Sequence, residues 1–390
     1  MVAGIWVGVD IGRTHHHCVA IDDRGNTLLT RRVANEEADL RALITDVTVL
    51  GVDPLWIVDL PDGPTDLLRT LLHDRGQQLV YLPGRFMHNV AGSYPGEGKS
   101  DARDAAILAD QARVRRDLRT LSPPNTIAVD LALLTARRTD LVCDRTRVYN
   151  RIRSHLSTIA PTLDRALEVR LQGPLTLLGS YPTPTALRRM GQRRLTAWLR
   201  RRHIPRAEAL AERALTAAHR QHVIVPGEEL AAALIIQLAH EALGLHQRVR
   251  EVEHRITARF HTHPDAALIT SMPGIGDVLG AHFVAATGGD LTRFPNAGSL
   301  AAYAGLAPVP HDSGRVSGAR RRPHNYNRPL QRVFFQSARI SIGCCPASKT
   351  YYDRKRAEGK RHTQAVLALA RRRVDVLWAI FRDRRPYQPR

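Results

Sequence analysis

The first 82 residues alternate short apolar runs with helical patterns, and this order narrows the choice of fold. Three predicted strands come first, at residues 4–10, 18–21 and 27–33. The turn DDRGN at residues 22–26 predicts a hairpin. Predicted helices at 36–49 and 65–75 then alternate with predicted strands at 55–60 and 78–82. This order predicts a mixed α/β sheet covered by helices, which is compatible with a ribonuclease H-like fold.

The remainder of the chain is predicted to be mainly helical. A helix begins near Ser100, and a long helical pattern covers residues 125–160, where Arg138 and Arg145 interrupt the heptad positions. A better heptad pattern at 230–260 predicts either a helical hairpin or the seam of a dimer. Its apolar positions are Leu238, Ala242, Leu245, Val249, Val252 and Ile256. The predicted division is an α/β domain at 1–120, a helical or coiled-coil region at 121–261, a mainly helical domain at 262–375 and a basic tail at 376–390.

Net charge is the compositional feature that points to a partner. The 390 residues include 57 Lys and Arg against 37 Asp and Glu, which gives a formal net charge of +20 and a pI near 10.9. Hydrophobic residues make up 43% of the chain, which is typical of folded proteins rather than of disordered tails. So basic a folded chain predicts a polyanionic partner, with nucleic acid ahead of a membrane surface.

Cysteine usage and hydropathy indicate the compartment. The four cysteines, Cys18, Cys143, Cys344 and Cys345, include no CxxC pair and no metal-ligand spacing, so we expect reduced thiols. No apolar run approaches the roughly 20 residues of a membrane span, and the N-terminus lacks the basic segment of a signal peptide. We therefore expect a protein that stays inside the cell and has no membrane partner.

Four aspartates stand at positions that are expected to converge. Asp10 ends the first strand and Asp59 ends the fourth, and these two strands are neighbours in a ribonuclease H-like sheet. Asp101 and Asp104 are three residues apart, on one face of the helix that begins near Ser100. Phosphodiester chemistry uses divalent metals held by three or four carboxylates on neighbouring elements. The pattern therefore predicts a metal site that acts on nucleic acid.

Aspartate at such positions can also have a purely structural role. Strand-end turns and helix N-termini favour aspartate without any metal. Asp62 competes with Asp59, although Asp59 follows the apolar strand directly. The run His15, His16 and His17 cannot bind one metal together, because successive strand residues face opposite sides. The four aspartates are therefore the predicted metal ligands.

Two segments after residue 261 are rich in groups that bind phosphate. The turn MPGIGD resembles that of helix-hairpin-helix modules, in which residues such as Gly274 and Gly276 let backbone N–H groups approach a phosphate; a plain turn between helices is the alternative. Further on, Ser313 stands in a Ser-Gly pair among six arginines. These are Arg315, Arg320, Arg321, Arg322, Arg328 and Arg332. A serine hydroxyl among cations is suited to attack a phosphodiester, although most Ser-Gly pairs are turns.

Taken together, these segments resemble the DEDD transposases of the insertion-sequence 110 family, the bridge-RNA-guided recombinases. The resemblance spans nearly the whole chain. It rests on GVDIG at 8–12, the strand-end acid Asp59, KSDARDA at 99–105, PGIG at 273–276 and RFPNAGSLAAYAGLAPVPHDSG at 293–314. The last segment is the most specific.

The resemblance implies a RuvC-like N-terminal domain with a metal site, a coiled coil that joins protomers, and a C-terminal transposase domain with a nucleophilic serine. Carried over, the metal-binding and catalytic acids are Asp10, Asp59, Asp101 and Asp104, and the nucleophile is Ser313. The metal would be Mg²⁺ or Mn²⁺. The resemblance further implies a transient phosphoserine link to double-stranded donor or target DNA and a structured non-coding guide RNA. It also implies a dimer that assembles into a tetramer in the bacterial cytosol and nucleoid.

The sequence departs from the family in two places. The second acid is usually Glu followed closely by Thr-Gly, whereas Asp59 is followed by Leu-Pro-Asp-Gly. After the serine, HNYNRPL matches the family's basic segment only loosely, and Pro329 is expected to interrupt a helix there. Two activities therefore stay open besides recombination. One is a RuvC-like nuclease or junction resolvase that uses the acids alone, and the other is a nucleic-acid-binding protein whose acidic site has decayed.

Overall fold

The chain divides into two compact units, Met1–Pro124 and Asn125–Arg390. The structure, a computed structural model, describes residues 4–51, 53–60, 63–94, 98, 100–121, 123, 125–292, 294–310, 320–321 and 323–388. Across these ranges no helix combines the length and the hydropathy that crossing a membrane requires. The first unit is an α/β structure, and the second is built mainly of helices.

The first unit contains a mixed sheet of six strands in the order β3-β2-β1-β4-β5-β6. The strands are β1 (Trp6–Ile11), β2 (His15–Ile21), β3 (Thr27–Ala34), β4 (Leu55–Val58), β5 (Gln78–Tyr81) and β6 (Arg119–Thr120). β1, β2 and β3 pair antiparallel, whereas β1, β4 and β5 pair parallel. The helices are α1 (Glu37–Leu50), α2 (Asp66–Asp74), α3 (Gly84–Ala91) and α4 (Asp101–Val114). The predicted mixed sheet is confirmed, and its strand order is consistent with a ribonuclease H-like fold.

The two faces of the sheet are covered by different helices, because successive side chains of a strand alternate between faces. On one face, Val7 and Val9 of β1 share a core with Leu40 of α1. On the other face, Ile57 of β4 shares a core with Leu108 of α4. The second face is the one that carries the candidate site, since two of the predicted aspartates belong to α4.

The second unit is mainly helical and contains two apolar cores. Its helices are α5 (Thr126–Ile159), α6 (Pro161–Ala166), α7 (Gln172–Leu178), α8 (Pro184–Arg200), α9 (Ala207–His219), α10 (Glu228–Phe260), α11 (Ala266–Ser271), α12 (Asp277–Thr287), α13 (Ala297–Tyr303), α14 (Arg328–Cys344), α15 (Pro346–Ala357) and α16 (His362–Asp383). Two short strands, β7 (Val309–Pro310) and β8 (Arg320–Arg321), pair antiparallel. One core joins α5 to α10 and the helices between them, and the other joins the ends of α5 and α10 to the later helices.

The long helices α5 and α10 pack against each other in antiparallel directions. Arg138 of α5 pairs with Glu253 of α10 at 2.6 Å, and Asp130 of α5 pairs with Arg259 of α10 at 2.7 Å. The apolar stripe of α10 faces inward, with buried side chains at Ala242, Leu245, Val249 and Ile256. The heptad pattern at 230–260 therefore contributes to a helical pair within one chain. Oligomerisation through this region stays a prediction.

The predicted basic tail at residues 376–390 is wrong for its first part. Helix α16 continues to Asp383, and its Leu377 and Ile380 are buried in the second apolar core. Beyond the helix, the backbone N–H of Tyr387 donates to Ser271 Oγ at 2.9 Å. The arginines of this segment suggested a tail, but apolar side chains at helical spacing attach it to the core.

The expectation that Pro329 interrupts a helix is also wrong. Pro329 lies in the first turn of α14, where a backbone N–H would have no partner inside the helix. Asn327 caps that turn, because its side-chain oxygen accepts from the backbone N–H of Leu330 at 2.9 Å. The proline therefore helps to begin the helix.

Candidate active site

Two of the predicted aspartates lie side by side at one end of the sheet. The parallel register of β1 and β4 pairs Val9 with Val58; Asp10 follows Val9 within β1, and Asp59 follows Val58 directly after β4. Neighbouring strands are about 4.8 Å apart, so the two backbones are close at this end. Side chains alternate along a strand, so Asp10 is on the same face as Gly8, and Asp59 is on the same face as Ile57. Both aspartates are therefore on the sheet face that α4 covers.

Gly8 determines how closely α4 approaches this end of β1. A Cβ atom at Gly8 would lie 1.9 Å from the carbonyl oxygen of Ala105 and 2.5 Å from the backbone nitrogen of Ala109. No side chain fits there, so the helix backbone rests directly on the strand backbone. Ala105 directly follows Asp104, and Gly8 precedes Asp10 by two residues. The contact thus brings the first turn of α4 to the strand end that carries Asp10.

The first turn of α4 presents the other two aspartates. Ser100 caps the helix, and its Oγ accepts from the backbone N–H of Arg103 at 3.3 Å. Asp101 precedes the buried Ala105 by four residues, and Asp104 precedes the buried Leu108 by four. Residues four apart share one face of a helix, so both carboxylates project from the stripe that contacts the sheet. Asp104 is half-buried, and Asp101 is exposed.

Arg103 fastens this helix start to the segment before it. Its guanidinium donates to the carbonyl oxygens of Ala91 at 3.2 Å, Tyr94 at 3.1 Å and Gly98 at 3.0 Å. The guanidinium is thereby committed to backbone carbonyls and does not neutralise the neighbouring aspartates. Sequence reasoning assigned no role to Arg103 or to Gly8. A glycine inside a strand pattern, as in GVDIG, is the signal that could have indicated the close backbone contact.

The electrostatics at this end of the sheet are those of clustered acids. Burial raises the pKa of the Asp59 carboxyl, a hydrogen bond from its own backbone opposes that rise, and the negative charge of Asp104 adds to it. Within the described residues Asp59, Asp101 and Asp104 have no ion-pair partner, although the chain carries a net charge of +20. The charges of Asp59 and Asp104 repel each other, and a divalent cation would stabilise such a pair of carboxylates.

The convergence is nevertheless incomplete. Over the part of the chain that the structure describes, no three His, Cys, Asp or Glu side chains come close enough to hold one ion. The sheet and α4 bring Asp10, Asp59 and Asp104 to one end of the same face, and Asp59 and Asp104 interact electrostatically. A closed cage of four carboxylates is not formed.

The histidine run of β2 divides between the two faces. His16 is buried on the α1 face, and burial lowers its pKa, an effect that hydrogen bonds with Asn35 and with the backbone of Gly12 and His15 oppose. Nε2 of His17 lies 3.1 Å from Thr30 Oγ1, and Nδ1 of His15 lies 3.2 Å from Thr14 Oγ1. The three imidazoles therefore do not meet.

The PGIG turn gives its two glycines different surroundings. Gly274 has a φ of +81°, and a Cβ there would lie 2.7 Å from the carbonyl oxygen of Ser337 in α14. Buried Arg373 donates to the carbonyl of Pro273 and to Ser337 Oγ, which fixes the turn against α14. Gly276 precedes α12, and a Cβ there would meet no atom within 4 Å. Gly274 therefore serves internal packing, whereas the backbone at Gly276 is accessible to a ligand.

The serine segment is described only in part. Ser313, Arg315 and Arg322 lie outside the described residues, and only the backbone of Arg320 and Arg321 is described, in β8. Two further predicted residues, Arg328 and Arg332 of α14, are exposed. The two described arginine side chains thus leave their cations accessible to a polyanion.

The charge of Arg332 also acts on a neighbouring titratable group. Burial, together with the charges of Arg138 and Arg332, lowers the pKa of His282 to about 4.

Comparison with known proteins identifies the family. A family model described as "Transposase", for the DEDD transposases of IS110 elements, matches residues 7–161. A second model, described as "Transposase IS116/IS110/IS902 family", matches residues 266–353. The first match contains all four predicted aspartates, and the second contains the PGIG turn and Ser313.

Whole-length relatives agree with these matches. The uncharacterized 42 kDa protein of insertion element IS900 from Mycobacterium paratuberculosis is 50% identical, over 100% of this chain and 98% of its own length. The uncharacterized 44.8 kDa protein of IS116 from Streptomyces clavuligerus is 47% identical over 99% of this chain and 96% of its own. The uncharacterized 43.6 kDa protein of IS110 from Streptomyces coelicolor is 40% identical over the same shares. The chain therefore belongs to the IS110 family of transposases, and it is an enzyme that acts on DNA.

Proposed function

We infer that this transposase breaks and rejoins double-stranded DNA of an insertion sequence by metal-assisted phosphodiester chemistry with Ser313 as the nucleophile. The single observation that supports the proposal is that β1, β4 and α4 bring Asp10, Asp59 and Asp104 to one end of the same sheet face, where the charges of Asp59 and Asp104 interact. The protein is strongly basic, yet no cation lies beside Asp59 and Asp104 among the described residues. This arrangement favours a catalytic role for the aspartates over a structural one.

The carboxylate chemistry of these residues suits a divalent metal, although their side chains do not form a closed cage. Asp10, Asp59, Asp101 and Asp104 would hold Mg²⁺ or Mn²⁺, since hard cations prefer carboxylate oxygens. When bound, the metal would supply stabilisation of the negative charge on the phosphate oxygens. Because the pKa of Asp59 is raised, protons compete for this carboxylate at higher pH than for an ordinary aspartate. The proposed site is therefore of the RuvC-like type.

The proposed chemistry conserves the number of phosphodiester bonds. Ser313 Oγ bonds to phosphorus while the bond from phosphorus to one deoxyribose oxygen breaks; the hydroxyl proton passes to solvent and the departing oxygen is protonated. In the return step a deoxyribose hydroxyl of the new partner strand attacks the phosphoserine, and the serine regains its proton. The six nearby arginines of the sequence would stabilise charge on the phosphate.

The choice of DNA sites belongs to the same proposal. A structured guide RNA from the flank of the element would pair with donor and target DNA, as the family resemblance implies. Subunits of a dimer that assembles into a tetramer would contribute the acids and the serine. The net charge of +20 supports binding to DNA and RNA together.

The acids are tested by Asp104→Asn in the full-length protein. We expect strand exchange between element ends and target DNA to be lost, because Asn cannot supply the charge that holds a cation. Calorimetric Mn²⁺ binding should weaken as well, while DNA binding persists. The matched control is Asp39→Asn, an exposed first-turn aspartate of α1. Unimpaired strand exchange by Asp104→Asn would refute the role of the acids.

The serine is tested separately with Ser313→Ala and the control Ser317→Ala. Denaturing gels of reactions with labelled DNA should show a protein–DNA adduct for the wild type and for Ser317→Ala, and none for Ser313→Ala. Metal-dependent cleavage without any adduct would indicate a water nucleophile, as in a nuclease or junction resolvase. No cleavage of a supplied element end under any condition would indicate a decayed site that only binds nucleic acid.

A further inference from the structure

A row of side chains continues the acidic end of the sheet toward its edge strand. Asp10 of β1 is opposite His17 of β2, and His17 is opposite Arg32 of β3. Side chains of directly opposite residues project from the same face of a sheet, so this row lies on the face of α4. Two strand spacings of about 4.8 Å separate Arg32 from Asp10, which is roughly 10 Å between their backbones.

Independent contacts fix the direction in which His17 points. Its Nε2 lies 3.1 Å from Oγ1 of Thr30, a β3 residue that is opposite Val19. Val19 packs with Ala105 and Ala109 of α4, which confirms the face. Within the described part of the chain, Nδ1 of His17 has no hydrogen-bond partner, and the side chain is half-exposed. The imidazole is thus held by one nitrogen and has the other available for a ligand.

Two adjacent arginines of β3 have contrasting surroundings. Arg31 faces the opposite side of the sheet, where its guanidinium pairs with Asp46 of α1 at 2.7 Å. Arg32 is exposed, and among the described residues it has no ion pair or hydrogen bond. Arg31 therefore has a partner inside the protein, whereas the cation of Arg32 lies on the face of the aspartates and remains available for an anion.

We propose that Arg32 and His17 bind a backbone phosphate of the DNA strand that is broken at the aspartates. A guanidinium matches two phosphate oxygens at once, and an imidazole N–H can donate to a third. Since β3 is the edge strand among the described residues, a long polyanion can leave the site in this direction without crossing another of the described strands. The proposal rests on the proposed function and adds the course of the strand, from the aspartates across β2 to β3.

The test combines protein variants with DNA in which one phosphate at a time is neutral. Full-length protein is titrated, in Ca²⁺, with fluorescent duplexes that carry the element end and a single methylphosphonate. We expect neutralisation of one or two adjacent phosphates to weaken wild-type binding about tenfold. Arg32→Ala should weaken binding of the unmodified duplex by a similar factor. The affinity of this variant should not fall further when the same phosphate is replaced by methylphosphonate. His17→Phe should show coupling to the same phosphate.

The matched control is Arg31→Ala, which removes the same charge one residue away on the other face. It should keep the wild-type response to every methylphosphonate. If no phosphate is coupled to Arg32, or if Arg31→Ala behaves like Arg32→Ala, the proposal is overturned, and the two arginines are ordinary edge-strand charges. The binding assay needs no cleavage. Failure of the wild type to cleave DNA in Mg²⁺ would contradict the proposed function while the coupling remained measurable.

Discussion

At the scale of single residues, Gly8 determines the distance between β1 and α4. Helix α4 carries two of the four candidate aspartates, Asp101 and Asp104. The contact is between backbones, and a helix backbone cannot rotate away from an added methyl group as a side chain can. The site therefore depends on a residue that contributes no functional group to it. Any larger residue would displace α4 together with Asp101 and Asp104.

Replacement of Gly8 by alanine tests this dependence. We expect Gly8→Ala to lower the free energy of unfolding by about 3 kcal/mol or more, because the Cβ would overlap the Ala105 carbonyl. Chemical denaturation measures the change. Gly98→Ala is the control, since a Cβ at Gly98 meets no atom within 4 Å and should have little effect. Equal stability of both variants would show that α4 does not rest on β1 as described.

His282 gives the second unit a dependence on pH. Its pKa is about 4 in the folded protein, because of burial and the charges of Arg138 and Arg332, against 6.5 for a free histidine. A lowered folded-state pKa means that the unfolded chain takes up the proton first. Stability is therefore complete above about pH 6.5 and falls as the pH drops toward about 4. Urea denaturation across this interval should show a smaller fall for His282→Gln, and equal slopes would contradict the assignment.

At the scale of elements, the antiparallel pair of α5 and α10 holds the second unit together. Both helices contribute to both apolar cores, so each core depends on the same two elements. Ile152 is fully buried in the core that α5 shares with α10, whereas Leu133 of the same helix is 68% exposed. Loss of packing at the contact should therefore be transmitted along the helix to both cores.

Truncation of Ile152 measures the strength of that contact. We expect Ile152→Ala to destabilise the protein by about 2–5 kcal/mol, because a cavity replaces a buried side chain. Leu133→Ala, on the exposed side of α5, should change the free energy of unfolding much less. Thermal or chemical denaturation of the full chain distinguishes them. Similar effects at both positions would mean that the exposed side of α5 is covered by another molecule.

Elements of this protein could be predicted from sequence where local patterns decide them. The apolar runs that lead to Asp10 and Asp59 predict strands there, although β1 continues one residue beyond Asp10 to Ile11. The adjacency of the two aspartates follows from the sheet order. The direct backbone contact of α4 with β1 at Gly8 could not be predicted, because it joins residues about 100 positions apart. β6 has only two residues and α3 only eight, which is shorter than the window over which a periodic pattern identifies an element. The end of α16 could not be predicted either, because its arginines are typical of a basic tail while its apolar spacing is typical of a helix.

At the scale of the whole molecule, the excess of 57 basic over 37 acidic residues governs association with nucleic acid. Affinity for duplex DNA should fall by roughly 10³-fold or more between about 50 and 200 mM salt, because bound counterions are released when phosphates are neutralised. Fluorescence anisotropy with a labelled duplex measures the slope. The slope of log affinity against log salt concentration counts the released ions. Arg32→Ala should reduce its magnitude by about one, because one phosphate contact is lost. An affinity that is insensitive to salt would contradict nucleic acid as the partner.

The distance along the chain between α5 and α10 also affects how the protein is made. Phe260 ends α10 about 100 residues after Ile159 ends α5. At roughly 5–20 residues per second, a ribosome needs on the order of 5–20 s to supply the second helix after the first. During that time the apolar stripe of α5 lacks its partner on the nascent chain. A newly made transposase therefore passes through a period in which chaperones or a second nascent copy compete for the surface that α10 later covers.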